Sequence, residues 1–483
     1  MKLFIKRSAP VLGLLGLGLA GCQPDIEAPS VSAGTANFAR YISVGNSLTI
    51  GVTDGGLYRE GQLNSYPNIL AGQFRLAGGG DFVQPLYSEA QANGSGYLRL
   101  TGFTAAGLPV TAPVTTNLGV RGGTPQIPLY TKYLDPINNL GVDGIRMSSI
   151  TIPDFGNFSS TSNAANFNAN FERITPAGSS QTYLDRVKAT VASINPTFFT
   201  EWLGSNDVLG YATAGGAASS ITPTATFTTN TGLILDALIA GGAKGMVSTI
   251  PDVANIPFFT TVGPTFKATL TANNAAGLVA LTGAAAGGVT SGNRKQIATI
   301  DIRDAAGNGR QLFTLTSSPF LGLFNRPTGA PWRYLLAQAN QPKAALGPYL
   351  ASFGIDTLQA FGTTAANPIP SAFILDDVEQ GQVLTATTAF NTALTTAATN
   401  RGLAVFDANT FFRSVAVSGY ATNAVNNTAG YLSGNLFGLD GVHPTPRGYA
   451  VIANEMLKVI NAKYGSTFQG VNPNSFRGVV FPQ

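Results

Sequence analysis

Residues 38–51 read Phe-Ala-Arg-Tyr-Ile-Ser-Val-Gly-Asn-Ser-Leu-Thr-Ile-Gly, an apolar run that ends in a glycine turn with a serine at its tip. The β-branched and aromatic residues between Phe38 and Val44 predict a buried strand. A strand that runs into such a turn puts the Ser47 hydroxyl at the carboxyl end of a sheet, where α/β proteins place their ligands. From this segment alone, a serine that only caps the following helix is the commoner outcome.

The same strand–turn–helix unit recurs along the chain. Further strands are predicted at 138–144, 197–203, 245–250 and 403–407, and helices at 58–76, 183–194, 227–240, 377–400 and 447–464. This alternation predicts a mostly parallel sheet in a three-layer α/β/α arrangement. Two regions do not show this alternation of strands and helices. Residues 82–134 are rich in Gly, Thr and Pro and are expected to form hairpins and loops, and residues 256–370 are expected to form an insertion or cap.

The stretch Asp440-Gly441-Val442-His443-Pro444 contains the only histidine of the chain. An imidazole is the side chain whose ordinary pKa suits a general base near neutral pH. Asp440, three residues earlier, could hold the ring in one tautomer and stabilise its charged form. Considered by itself, the pair is more often a polar surface turn in which Asp440 caps the next helix.

Four separated segments together resemble the SGNH (GDSL) hydrolase superfamily, which is named for a serine, a glycine, an asparagine and a histidine in four blocks. In chain order the matching segments are Gly45-Asn46-Ser47-Leu48-Thr49, Asn139-x-x-x-x-Gly144, Gly204-x-Asn206-Asp207 and Asp440-x-x-His443-Pro444. They occur in the order of the family's blocks, each after a predicted strand. One residue departs from the family pattern: Asn46 stands where the family has aspartate. Its carbonyl oxygen can accept similar local hydrogen bonds, so we expect a modest effect, although a weakened or inactive variant remains open.

The resemblance implies a flavodoxin-like hydrolase domain at 38–470, with 82–134 and 256–370 inserted and 471–483 as a C-terminal tail. It also implies a serine esterase or lipase that needs no cofactor and no metal. Ser47 would be the nucleophile, His443 the base and Asp440 its orienting carboxylate. The backbone N–H groups of Ser47 and Gly144 and the side-chain amide of Asn206 would hold the oxyanion.

The N-terminus predicts an exported lipoprotein. Lys2, Lys6 and Arg7 precede an apolar run that ends Leu19-Ala20-Gly21-Cys22, the pattern of a signal peptide over 1–21 that is too short to span a bilayer. The end of this run resembles a lipobox, which implies that Cys22 receives a diacylglyceryl anchor. Residues 22–37 are expected to form a tether. The absence of aspartate after Cys22 favours the outer membrane, on its periplasmic or its external side.

The charge balance makes nucleic acid an unlikely partner. The chain has 28 Lys and Arg residues and 24 Asp and Glu residues, and loss of the signal peptide removes three of the positive charges and none of the negative ones. The mature chain is therefore almost neutral and has no basic stripe. The expected partner is an acyl ester, either a lipid or an acylated glycan.

Two other functions fit the same residues. The site could serve an O-acyltransferase or a carbohydrate deacetylase, which differ from an esterase in the acceptor of the acyl group or in the substrate that carries it. Alternatively, the chain could be a non-catalytic surface lipoprotein that binds glycan or lipid through its inserted regions. Asn46 is the one feature that favours this second reading.

Overall fold

The computed structural model describes residues 30–104, 109–125, 127–158, 166–283 and 293–482. The predicted signal peptide, Cys22 and the first part of the tether therefore lie outside the described residues. The helices are α1 Ser47–Ile50, α2 Arg59–Leu63, α3 Tyr66–Arg75, α4 Ala169–Arg173, α5 Tyr183–Ile194, α6 Asn206–Thr213, α7 Thr224–Ile239, α8 Pro257–Thr260, α9 Val262–Ala272, α10 Ser318–Leu321, α11 Ala330–Gln338, α12 Leu346–Ser352, α13 Asp377–Asn400, α14 Ala408–Ser418 and α15 Pro446–Tyr464.

The strands form one central sheet and several hairpins or short pairs. They are β1 Tyr41–Gly45, β2 Leu98–Phe103, β3 Pro109–Pro113, β4 Val120–Gly123, β5 Pro128–Tyr130, β6 Asn139–Gly141, β7 Phe198–Trp202, β8 Lys244–Ser248, β9 Gly277–Leu281, β10 Arg294–Ala298, β11 Leu312–Phe313, β12 Ile374–Leu375, β13 Ala404–Phe406, β14 Tyr420–Thr422 and β15 Val425–Asn427.

The central sheet has five strands in the order β13-β8-β7-β1-β6, and every pair in it is parallel. The predicted α/β class is thus confirmed. Strand β1 lies between β7 and β6, with Gly45 paired to Trp202 on one side and to Gly141 on the other. Because all five strands point the same way, the turns that follow them meet at one edge of the sheet.

Hydrophobic clusters cover both faces of this sheet. On one face Ile42 and Val44 of β1 pack with helices α5, α7 and α13, where Phe227 and Phe390 stack at 4.0 Å between ring centroids. On the other face Tyr41 of β1 packs with α3 and α15. The alternation along β1 explains this division, since successive side chains of a strand point to opposite faces.

Several predicted helices begin and end where the sequence indicated. Helix α5 matches the predicted range and stops at Asn195, whose left-handed backbone precedes Pro196. Helix α13 also has the predicted bounds and begins with a capping box between Asp376 and Glu379. The helix predicted over 58–76 is divided into α2 and α3 by residues 64–65, because Pro67 has no N–H to donate to the Leu63 carbonyl.

The two irregular regions fold in different ways. Residues 82–134 contain the antiparallel hairpins β2-β3 and β4-β5, in agreement with the expectation of hairpins and loops. The region 256–370 supplies most of a separate hydrophobic cluster around Phe266, Ile297 and Phe313, which Phe373 and Ile374 complete. It includes the hairpin β9-β10, which the sequence analysis did not predict.

The described chain begins at the amino edge of the sheet. The Thr35 N–H donates to the carbonyl of Tyr464, the last residue of α15, at 2.7 Å. Helix α15 runs from the carboxyl edge back to this end. None of the helices in the described part of the chain is both long enough and apolar enough to cross a bilayer.

One strand of the central sheet carries a carboxyl group that is buried in the core. Glu201 of β7 is fully buried, and its Oε1 accepts a hydrogen bond from the Leu203 N–H at 2.9 Å. Burial raises the pKa of Glu201 to about 8, although the bond from Leu203 acts to lower it. Its Oε2 has no hydrogen-bond partner among the described residues. The folded protein therefore holds a proton that the unfolded chain releases near pH 4.5.

We expect the free energy of unfolding to fall as the pH rises from about 4.5 to about 8, since over this range the folded state keeps the Glu201 proton and the unfolded state does not. Glu201→Gln should remove this slope and stabilise the protein at pH 8 by a few kcal/mol. Urea unfolding at pH 5 and pH 8 measures both effects. Asp81→Asn, at an exposed carboxylate, is the control, and equal slopes in wild type and Glu201→Gln would contradict the expectation.

Candidate active site

Ser47 lies where β1 ends, at the carboxyl edge of the sheet. The preceding turn is tight, because a Cβ on Gly45 would come within 2.1 Å of Thr49 Oγ1. Asn46 donates its N–H to the carbonyl of Trp202 at 3.3 Å, and its Oδ1 accepts from the Leu48 N–H at 3.0 Å. Asn46 thus makes the local cap expected of it, which fixes the start of α1 at Ser47.

The Gly144 turn follows β6, the neighbour of β1. The Val142 N–H donates to the carbonyl of Gly45 at 3.0 Å, and Asn139 Nδ2 donates to the carbonyl of Thr49 at 2.9 Å. Gly144 itself is exposed and has φ +75°, in the region that favours glycine. The second sequence block is therefore bonded directly to the first.

The Asn206 turn follows β7, the other neighbour of β1. Asn206 Nδ2 donates to the carbonyl of Ile145 at 2.9 Å, which leaves its second amide hydrogen for another acceptor. The buried carboxylate of Asp207 accepts from the Met147 N–H at 2.7 Å and from the Thr222 hydroxyl at 2.6 Å. These bonds hold the third block against the second, so Ser47 has the Asn206 turn on one side and the Gly144 turn on the other.

The turn before α15 contains the predicted carboxylate–imidazole pair. His443 Nδ1 and Asp440 Oδ2 are 2.6 Å apart. The other carboxylate oxygen accepts the backbone N–H groups of Val442 and His443, both at 2.9 Å. With Nδ1 held by Asp440, the second ring nitrogen, Nε2, is the one left to exchange protons.

Opposed effects set the pKa values of this pair. Burial lowers the pKa of His443, but the Asp440 carboxylate, and then Asp143 and Asp54, outweigh it, so the pKa lies above its usual value. Burial raises the pKa of Asp440, yet the imidazole and the two backbone N–H groups bring it below its ordinary range. The geometry favours an ionised Asp440 beside a ring that is a stronger base than a free histidine.

The histidine turn is bonded to the loop that follows Ser47. The Tyr449 hydroxyl on α15 donates to the carbonyl of Val52 at 2.6 Å, and the Leu439 N–H donates to Asp54 Oδ1 at 2.9 Å. Among the described residues, neither the Ser47 hydroxyl nor His443 Nε2 makes a hydrogen bond, so the direct contact between them stays a prediction. Catalytic hydrogen bonds of this kind are commonly long without substrate and tighten when it binds.

Two nearby carboxylates were not among the residues singled out from the sequence. Burial, together with Asp440, raises the pKa of Asp143, which is half-buried, while His443 and the Gly144 N–H act in the opposite direction. Asp143 lies inside the second sequence block, so a signal for it was present. Asp54 has no local motif that could have marked it.

The carboxylates and the imidazole of this region do not form a metal-ligand group. The described ranges contain no group of three or more His, Cys, Asp or Glu side chains that could hold a metal ion. The turns at this edge of the sheet carry a hydroxyl, an imidazole–carboxylate pair and side-chain amide donors. Those groups can support nucleophilic attack with proton transfer.

Because the chain has one histidine, its ring can be titrated without assignment. We expect the pKa of His443, followed by NMR of the ring protons, to lie above the ordinary 6.5. Asp440→Asn should lower it, since the neutral amide no longer stabilises the imidazolium. Asp236→Asn, at an exposed carboxylate bonded to Arg401, is the matched control. A pKa of 6.5 or below in the wild type, or no change in Asp440→Asn, would contradict this account.

Comparison with known proteins adds no family to this description. No family model matches the chain, and no curated protein matches it significantly. The functional assignment consequently depends on the four sequence blocks and on the geometry of the turns that carry them.

Proposed function

We propose that the protein is a serine hydrolase that cleaves carboxylic esters, with Ser47 as nucleophile, His443 as base and Asp440 as orienting carboxylate. The observation that carries the proposal is the 2.6 Å pair of His443 Nδ1 and Asp440 Oδ2 in a turn bonded to the loop that follows Ser47. Resemblance of the four blocks to the SGNH superfamily supports it, and so does the all-parallel sheet. On this proposal the fold is of the flavodoxin-like SGNH type.

In the first half of the reaction, Ser47 Oγ attacks the ester carbonyl while His443 Nε2 takes the hydroxyl proton. Asp440 stabilises the resulting imidazolium. The tetrahedral intermediate then expels the alcohol, which receives the proton from His443, and the acyl group remains on Ser47. In the second half, water attacks this acyl-enzyme with His443 again as base, and the carboxylic acid leaves.

The negative oxygen of the tetrahedral intermediate needs donors on the side of Ser47 away from the base. The Ser47 N–H begins helix α1, where the first N–H groups have no partner within the helix. Asn206 contributes the amide hydrogen that Ile145 does not use. Gly144 contributes its N–H from the turn after β6. The Asp143 carboxylate is a second acceptor for this N–H.

The proposal includes the cell envelope as the place of action. The sequence before residue 22 has the form of a lipoprotein signal, and lipidated Cys22 would anchor the domain to the outer membrane through residues 22–37. Metabolic labelling with an alkyne fatty acid would detect the anchor, and Cys22→Ala should abolish both the label and membrane association.

Ser47→Ala should abolish hydrolysis of acyl esters, because alanine has no hydroxyl to attack the ester carbonyl. Turnover of an acetyl-to-palmitoyl ester series and labelling by a fluorophosphonate probe measure this directly. Ser352→Ala, at an exposed position on α12, is the control and should behave as wild type. Full activity or full labelling in the Ser47 variant would refute the assignment.

Asn206→Ala should lower kcat by about 10²–10³ with a smaller effect on KM, as expected for loss of an oxyanion donor. Asn230→Ala provides a matched control, because the Asn230 amide donates to the Met147 carbonyl in the same segment but from α7. Similar losses of kcat in both variants would mean that Asn206 serves only to hold the segment.

A further inference from the structure

Asp54 stands between the two turns that must cooperate in catalysis. It lies seven residues after Ser47, and its Oδ1 accepts the Leu439 N–H, directly before Asp440, at 2.9 Å. Asp54 is 4% exposed, so this bond is shielded from water. A Cβ on Gly438 would come within 2.8 Å of both the N and Oδ1 atoms of Asp54, which shows how closely the two segments approach.

The backbone at Asp54 is held in an uncommon conformation. Its φ is +52°, in the left-handed region, which few residues other than Gly, Asn and Asp adopt. The Thr53 and Gly56 backbones bridge across it, and the Leu98 N–H donates to the Asp54 carbonyl at 2.8 Å. These backbone contacts fix the conformation of Asp54 and therefore the direction in which its carboxylate points.

The second oxygen of Asp54 faces the C-terminal segment. Oδ2 accepts the Tyr58 hydroxyl at 3.0 Å and lies 3.4 Å from Arg477 Nη2. Arg477 also makes two bonds to the Glu60 carboxylate, at 2.7 and 2.9 Å, and one to the Tyr58 hydroxyl at 2.6 Å. Burial raises the pKa of Asp54, while the Leu439 N–H and the Arg477 charge lower it, so the guanidinium helps to keep this carboxylate ionised.

The segment that carries Arg477 is itself bonded to the start of α15. The Arg447 N–H donates to the carbonyl of Arg477 at 3.0 Å, and Arg447 Nε donates to the carbonyl of Phe476 at 3.1 Å. Arg447 comes four residues after His443. Residues 476–477 are therefore bonded both to helix α15, which follows His443, and to Asp54, which lies in the loop after Ser47.

We propose that Asp54, held by Arg477 and Tyr58, is a positioning residue that sets the approach of His443 to Ser47. This inference rests on the proposed serine hydrolase function. It makes the C-terminal segment around Arg477 a part of the active-site framework. Asp54 acts through the Leu439 N–H on the turn that carries the base, and it touches neither substrate nor reacting atoms.

Removal of the negative charge of Asp54 should change the pKa of His443 in a known direction. Asp440, Asp143 and Asp54 are the charged groups that act on His443, and all three stabilise the imidazolium. Arg477, Asp440 and Tyr58 act on the pKa of Asp54, and Tyr431 and Tyr97 also lie close enough to feel its charge. Asp54→Asn should therefore lower the pKa of His443 and move the acid limb of the kcat/KM profile to lower pH.

The experiment compares Asp54→Asn, Arg477→Met and Arg477→Lys with wild type in the full chain. We expect Asp54→Asn and Arg477→Met to lower kcat about ten- to hundredfold with KM within about twofold, because small displacements of a catalytic group carry losses of this size. Arg477→Lys should restore part of the loss. If Asp54→Asn does not fold, Arg477→Met alone decides the question.

Arg401→Met is the matched control, since Arg401 is bonded through two nitrogens to Asp236 on the surface, and it should leave kcat unchanged. Folded Asp54 and Arg477 variants with wild-type kcat, or an equal loss in Arg401→Met, would overturn the inference. So would an unmoved His443 pKa in Asp54→Asn. A wild type that neither cleaves esters nor takes the fluorophosphonate label would refute the proposed function instead, and NMR titration of His443 would still report on Asp54.

Discussion

The parallel pairing of β1 with both β7 and β6 is the constraint on which the site depends. Gly45 is in register with Trp202 and with Gly141, so the chain leaves all three strands at the same height. Their turns are then cross-bonded, through the Asn46 N–H to β7 and through Asn206 Nδ2 to the turn after β6. A serine and an amide donor that are 159 positions apart in the chain thus become neighbours at one edge.

His443 lies in the turn before α15 and not at the end of a sheet strand. Helix packing and hydrogen bonds within that turn determine its position. Helix α15 packs on the face that also carries α3, and the turn before it is folded around the Asp440 carboxylate, which accepts two backbone N–H groups as well as the ring. Three carboxylates act on one imidazole that lies mostly within the protein. Such an environment makes the ring more basic, which favours proton abstraction from a hydroxyl.

Local sequence predicted those parts of the structure that local interactions determine. Helix α5 and strand β7 followed from apolar periodicity and from the Asn195-Pro196 stop, and the four turns followed from short motifs. The hairpin β9-β10 was missed because its apolar residues pack against distant segments. Helix α14 was also missed, although Asp407 caps its start and Gly419 follows its end. The contact of Asp54 with Arg477 spans 423 positions and leaves no trace in either neighbourhood.

The described chain starts beside the end of α15, at the edge of the sheet remote from Ser47. If Cys22 carries lipid, the eight steps of chain to Ser30 can reach at most about 30 Å at full extension. The membrane attachment would then lie on the side of the amino edge of the sheet, and the turns that carry Ser47, Asn206 and His443 would lie at the opposite edge. On the proposed function, an ester on a soluble molecule or on a facing membrane would reach Ser47 without passing between the domain and the leaflet that holds the anchor.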